Sequence, residues 1–148
     1  MEQIINIGND SIKVAEIEVT YRSKIKPSER QTITTSSDAV DIFRKNWEQG
    51  KIEHVEQFKI LFLNRGNKVL CIYNLSSGGV SGTVADPKVI FAAALKVNAV
   101  NLILCHNHPS GCLKPSKDDV AITKKICAAA ALLALALNLS IKRSCCRI

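Results

Sequence analysis

Residues 100–111 read Val-Asn-Leu-Ile-Leu-Cys-His-Asn-His-Pro-Ser-Gly. A short apolar run, Val100 to Cys105, leads straight into two histidines that flank a single residue. Such a run, bounded by turn chemistry at Pro109-Ser110-Gly111, is the pattern of a strand buried on both faces. The chain uses histidine only three times, so two of them at the exit of a buried strand are informative. In extended backbone, residues i and i+2 project to the same side. His106 and His108 can therefore present two imidazoles to one point, while Cys105 should face the opposite, core side. Neutral imidazole is the commonest side-chain ligand of divalent transition metals. Two nitrogens leave a tetrahedral zinc needing a third protein donor.

Working downstream, Pro109 to Pro115 form a loop that can fold back, and a helix should start near Ser116 and run through Ile122, Ile126, Ala130 and Leu133. Asp119 stands in its first turn, facing whatever the loop encloses. Acids are scarce in this part of the chain. Residues 60–148 contain eleven Lys and Arg against three acids, Asp86, Asp118 and Asp119, whereas residues 1–59 contain nine against ten. A carboxylate at Asp119 would complete a set of two histidines and one carboxylate with an open position for water, the arrangement of catalytic zinc. Ser116-Lys117-Asp118-Asp119 equally fits the Ser-x-x-acid pattern of a helix capping box, in which Asp119 only serves the helix end. Cys112 follows the histidines closely enough that spacing alone does not dismiss it as a ligand.

Upstream, Ile12 to Tyr21 suggests a strand with one solvated side, and Arg22 to Arg30, with Pro27, a basic loop. Ser36-Ser37-Asp38 reads as a helix N-cap followed by Ala39, Val40, Ile42, Phe43 and Trp47 at helical spacing, and Gly50 fits its end. Phe43 and Trp47 share a face and are expected in the core. From Glu56, Phe58, Ile60 and Phe62 alternate with Lys59, Leu61 and Leu63, a strand central in a sheet. Asn64-Arg65-Gly66-Asn67 is the loop to a return strand, Lys68 to Asn74. Ser76 to Gly82 reads as a flexible glycine-rich connection without the spacing or lysine of a phosphate-binding loop. Asp86-Pro87 opens a helix through Ile90, Phe91, Ala94 and Leu95.

His106, His108, Ser116 and Asp119 match without a gap the His-x-His, seven residues, Ser, two residues, Asp signature of JAB/MPN metalloproteases. His-Asn-His-Pro-Ser-Gly with Pro115-Ser116 resembles the RadC family in particular, in the short form found in mobile elements of some bacteria. The similarity in character extends back through Gly82-Thr83, Asp86-Pro87 and Ile90-Phe91 to Glu56-Gln57-Phe58. The resemblance implies an α/β (α+β) fold of the JAB/MPN, cytidine-deaminase-like kind, a central mixed sheet flanked by helices. It implies Zn2+ held by His106, His108 and Asp119, Glu56 as general base and Ser116 as donor to an oxyanion. Glu56 on the face of Phe58, Ile60 and Phe62 would be partly desolvated, which raises a carboxyl pKa and suits a base; Glu53 is its competitor. The family pattern does not use Cys112.

After about Leu133 the chain departs from the family, whose next strand usually carries an aspartate and a histidine; here Leu139 and Ser140 fall near those places. A frameshifted or truncated end would account for it and would remove strand edge from the sheet. The resulting organisation is an N-terminal strand and basic loop over residues 1–35, a RadC-like domain over 36–141 and an atypical tail over 142–148.

At 148 residues, with 47% hydrophobic and 22% charged residues, the chain has room for one folded domain and is neither a disordered tail nor a fibrous repeat. Six cysteines without a leader pattern or a C-x-x-C pair point to a reduced, cytoplasmic protein with no cysteine zinc ribbon. The longest apolar run, Ile126 to Leu137, is shorter than the roughly 20 residues of a membrane span. The expected activity is hydrolysis of amide or isopeptide bonds in a peptide or protein substrate. The competing classes are a nucleic-acid-associated factor, for which the net charge of +7 speaks but scattered lysines and few aromatics do not, and a catalytically silent MPN-type interaction domain.

Overall fold

A computed structural model of the chain describes residues 2–7, 10–15, 18–78, 85–112 and 114–140. Strands β1 (Glu2–Ile7) and β2 (Asp10–Ala15) pair antiparallel as a two-stranded sheet. The expected strand from Ile12 to Tyr21 is thus shorter and earlier. Residues 16 and 17 lie outside the described residues, and residues 18–21 are exposed and outside any strand. β1 is not among the strands expected from the sequence. Among residues 22–30, Pro27–Glu29 form one turn of 3-10 helix.

Helix α1 (Ser36–Lys45) is capped by Thr35, one residue before the expected Ser36. Thr35 Oγ1 accepts from the Asp38 N–H at 3.3 Å, and the Asp38 carboxylate accepts from the N–H groups of Thr34 and Thr35 and the Thr34 hydroxyl, each at 2.8 Å. The helix stops at Asn46, whose N–H turns back to carbonyls of α1; Gly50 falls in a separate 3-10 turn, Gln49–Lys51, and not at the helix end. The break lets Trp47 turn inward. Trp47 and Phe43 are both buried, as core packing requires.

β3 (Gln57–Leu63) is buried along its whole length. It pairs antiparallel with β4 (Val69–Ser77) on one edge and with β5 (Asn101–His106) on the other, and β6 (Ala136–Ser140) adds to β5 in parallel, giving the order β4-β3-β5-β6. β4 runs further than the expected Asn74 and absorbs Ser76 and Ser77; residues 79–82 of the expected glycine-rich connection lie outside the described residues. In the β3–β4 loop, Asn64 Oδ1 accepts from the N–H groups of Gly66 and Lys68, both at 2.9 Å. Tyr21 and residues 31–33 dock on this side: the Tyr21 hydroxyl donates to the Leu70 carbonyl, and Val69 N–H to Gln31 O.

Helices α2 (Pro87–Lys96) and α3 (Lys117–Leu132) cover one face of the four-stranded sheet, and α1 covers the other. Even-numbered residues of β3 and β5, including Ile60, Phe62, Leu102 and Leu104, meet Ile90, Phe91 and Ala94 of α2 and Ile126 and Ala130 of α3. Odd-numbered residues, Leu61, Leu63, Ile103 and Cys105, meet Ala39, Ile42 and Phe43 of α1 together with Trp47. Asp86 caps α2 by accepting from the Lys88 N–H at 2.9 Å. This is a three-layer α+β architecture with a mixed central sheet, as the JAB resemblance implies. Lys59 is the exception to apolar filling: only 1% exposed, it points to the α1 side. Its Nζ donates to Asn74 Oδ1 at 2.8 Å and lies 4.9 Å from the centre of the Trp47 ring. Burial pushes its pKa down and the Glu48 charge works the other way.

β6 occupies the segment where the sequence leaves the family pattern. A strand is retained at this edge through residue 140, its backbone paired to β5 at Asn101, Leu102 and Leu104, so the sheet does not lose it. Residues 141–148 lie outside the described residues. α3 reaches β6 through Ala134, which adopts φ 52 after the helix end. A left-handed residue at this point is ordinarily glycine, because a Cβ there crowds the following carbonyl. Ala134→Gly should accordingly raise stability by roughly 1 kcal/mol, read from the midpoint of urea unfolding.

The α1 cap carries a pH signature. Backbone N–H groups of Thr34 and Thr35 and the Thr34 hydroxyl hold the Asp38 pKa down at about 2, against an ordinary 3.8. Because the folded value is the lower one, the stabilisation is complete above about pH 4 and is lost as pH falls towards 2. Asp38→Asn should lower stability at neutral pH and flatten that part of the stability–pH curve, measured by thermal unfolding across pH.

Candidate metal centre

Three elements meet at the C-terminal end of β5. His106 is its last residue, on the α2/α3 side; His108 lies two residues beyond, and α3 begins nine residues later. The tight turn after His108, closed by the Gly111 N–H to the His108 carbonyl at 2.9 Å, needs Gly111 at φ 69 and lets the chain fold back. As the i, i+2 rule requires, the two imidazoles converge: Nε2 of His106 lies 3.1 Å from Nε2 of His108. Asp119 faces both, with Oδ1 3.3 Å from His106 Nε2 and Oδ2 3.6 Å from His108 Nε2. Glu56, immediately before β3, completes the cluster. One ligand-capable atom each of Glu56, His106 and His108 falls within 4.8 Å of the others.

Each of these side chains is partly buried, Asp119 and both histidines being about one-fifth exposed. The His106 ring stacks on Phe58, its register partner across β3 and β5, with centroids 5.8 Å apart and planes 4° apart. That contact fixes the imidazole plane. The sequence pattern marks Phe58 only as a strand-face residue, because cross-strand register cannot be read from a lone strand. Glu53 is exposed and stands outside the cluster. Cys105 is buried on the α1 side, as alternation requires, and Cys112 is exposed and not part of the cluster.

The two readings of Asp119 are compatible because its oxygens divide the work. Ser116 Oγ accepts from the Asp119 N–H at 3.1 Å and Asp119 Oδ2 accepts from the Ser116 N–H at 2.7 Å, a reciprocal capping box. Oδ1 remains directed at His106. Burial acts to raise the Asp119 pKa, but the Ser116 N–H, the Ser116 hydroxyl and the two imidazoles outweigh it and leave the carboxyl below its ordinary value.

The donor set fits a divalent metal. Arms of 2.0–2.1 Å to nitrogen or oxygen put the donors of a tetrahedral zinc about 3.3 Å apart; the His106–His108 Nε2 separation of 3.1 Å and the His106 Nε2–Asp119 Oδ1 separation of 3.3 Å match that edge, and the 3.6 Å approach to His108 is made by the other carboxylate oxygen, Oδ2. Two imidazole nitrogens this close, without a cation, must share a proton or repel.

A family model described as the RadC-like JAB domain matches residues 33–138. The chain is 44% identical over 114 residues to a UPF0758 protein of Flavobacterium johnsoniae, covering 76% of this chain and 48% of that protein. It is 43% identical over 83 residues to one of Porphyromonas gingivalis, covering 56% and 37%, and 33% identical over 107 residues to one of Caldanaerobacter subterraneus, covering 72% and 45%. Fold and family match together define a JAB-type domain. Within that class, the chain belongs to the RadC-like JAB domain family. It spans about half the length of the curated relatives it matches. Among the described residues, no helix is long and apolar enough to cross a membrane.

Because Ser116 caps α3, Ser116→Ala should cost about 1 kcal/mol of stability while Ser116→Asn, which can still accept the N–H, should cost a few tenths. Chemical denaturation of the two variants checks both values.

Proposed function

We propose that this domain is a zinc-dependent hydrolase of amide or isopeptide bonds acting on a peptide or protein substrate. The convergence of His106, His108, Asp119 and Glu56 from three separate elements carries the reading. His106, His108 and Asp119 would hold the metal. When bound, zinc supplies Lewis-acid polarisation and lowers the pKa of a coordinated water to about 7. Glu56, beside both histidines but not needed to complete a three-ligand set, takes the proton of the attacking water and returns it to the leaving nitrogen. The Ser116 hydroxyl accepts from Asp119 N–H and donates to the Asp119 carboxylate, and it would turn that proton to the oxyanion that develops on the substrate carbonyl. Phe58 keeps His106 in plane, and the Ser116 N–H keeps Asp119 ionised.

Protein prepared without added zinc should carry about one equivalent of divalent metal per chain, and His106→Ala with His108→Ala should abolish it, by elemental analysis. Glu56→Gln should keep the metal and lower hydrolysis of a fluorogenic peptide or isopeptide by roughly a hundred- to ten-thousand-fold. A folded wild-type chain that takes up no stoichiometric metal would overturn the proposal.

A further inference from the structure

Asn107, between the two histidines, is fully buried, and alternation turns it away from them. Its carboxamide is saturated by one segment. Oδ1 accepts from the Gln57 N–H at 2.7 Å, and Nδ2 donates to the carbonyls of Val55 at 2.9 Å and Ile52 at 2.6 Å. One N–H and two carbonyls can be satisfied by only one orientation of the amide.

The two bonds to Val55 O and Gln57 N bracket Glu56. A residue on a parallel strand holds its neighbour in the same way, accepting from the residue after it and donating to the residue before it. The β3–β5 register ends at Phe58 and His106, with one more backbone bond from the Asn107 N–H to the Gln57 carbonyl at 3.4 Å, so Glu56 itself has no strand partner on the β5 side. The Asn107 side chain takes that strand's place. On the other edge, the Glu56 carbonyl accepts from the Gly78 N–H at 2.8 Å, just past β4. Glu56 is thus clamped at the backbone from both sides, and one clamp is built into the His-x-His segment itself.

We infer that Asn107 is a positioning residue that sets Glu56 against the His106/His108 pair by acting as a surrogate strand for the Glu56 backbone. The inference rests on the metal-centre reading for what Glu56 does, but the clamp itself needs no metal. An alanine here would leave two carbonyls and an N–H without partners in the interior. The chain before β3 would then move, while His106, His108 and Asp119 keep their own supports in β5, Phe58 and the α3 cap.

The test has a metal-free and a metal-loaded arm, each on the full chain, with folding verified by near-ultraviolet circular dichroism of Trp47. In metal-free protein, amide exchange at Gln57 should quicken roughly tenfold or more in Asn107→Ala, with Ile60 to Phe62 unchanged. Should the alanine variant not fold, Asn107→Asp retains the acceptor for Gln57 N–H and loses the donations to Ile52 and Val55; the wild-type chain should also show through-bond coupling from the Asn107 amide to the Val55 carbonyl. In the second arm Co2+ is the probe. Asn107→Ala should still bind one equivalent, its visible spectrum should shift towards that of Glu56→Gln, and the double variant should show no further shift. Unchanged Gln57 exchange, no coupling to Val55, a Co2+ spectrum indifferent to Glu56→Gln, or additive shifts in the double variant would overturn the inference. A wild-type chain that binds no Co2+ sinks the metal-centre reading instead, and the exchange arm tells the two failures apart.

Discussion

The register of β5 against β3 decides where every candidate functional side chain falls. With Phe58 opposite His106, the even positions of both strands share the face covered by α2 and α3, and the odd positions share the face covered by α1. A slip of one residue would exchange the faces, placing His106 against Phe43 and Trp47 and turning Cys105 towards Asp119. Burial protects the register: Leu61, Leu63 and Ile103 fit the α1 side, and Ile60, Phe62 and Leu104 fit the other. Neither face can accept a buried, unpaired imidazole without a cost of several kcal/mol. The end of the register also marks where strand pairing stops, and that is where the candidate centre sits.

At that point the backbone is held by side chains instead of a ladder. Ser116 and Asp119 close the first turn of α3 on each other, which presents one carboxylate oxygen to His106 while the other is engaged at the helix end. Asn107 closes the edge of β3 around Glu56. Residues that look like structural punctuation, a cap and a buried amide, therefore hydrogen-bond the backbone and side chains of the candidate site. A strand exit followed by a helix start supplies both kinds of support within fourteen residues, His106 to Asp119.

Much of the central fold is legible in the chain. The continuous apolar runs at Phe58 to Leu63 and Leu102 to Cys105 dictate buried strands because only a sheet covered on both faces tolerates apolar side chains on both. Asp86-Pro87 and Ser116 dictate helix starts through local hydrogen bonding. The misread elements are those settled by neighbours. Thr35 displaces Ser36 as cap because Asp38 can reach back to Thr34 and Thr35. α1 ends before Trp47 because the indole is taken into the core under Lys59. Ser76 and Ser77, polar and next to glycines, join β4 because β3 offers them an edge. A strand persists at Ala136–Ser140 despite the departure from the family pattern, since an edge strand needs mainly backbone groups for its pairing.

The sequence by itself determined which residues could bear chemistry: His106 and His108 on one side of an extended segment, and Asp119 at the third position of a capped helix. Both follow from backbone geometry within a few residues. Only the tertiary structure decided that Glu56, and not Glu53, stands beside them, that Phe58 fixes the His106 ring and that Asn107 braces Glu56. Those relations join positions about fifty residues apart through strand register, and local sequence preference carries no information about which two strands lie side by side.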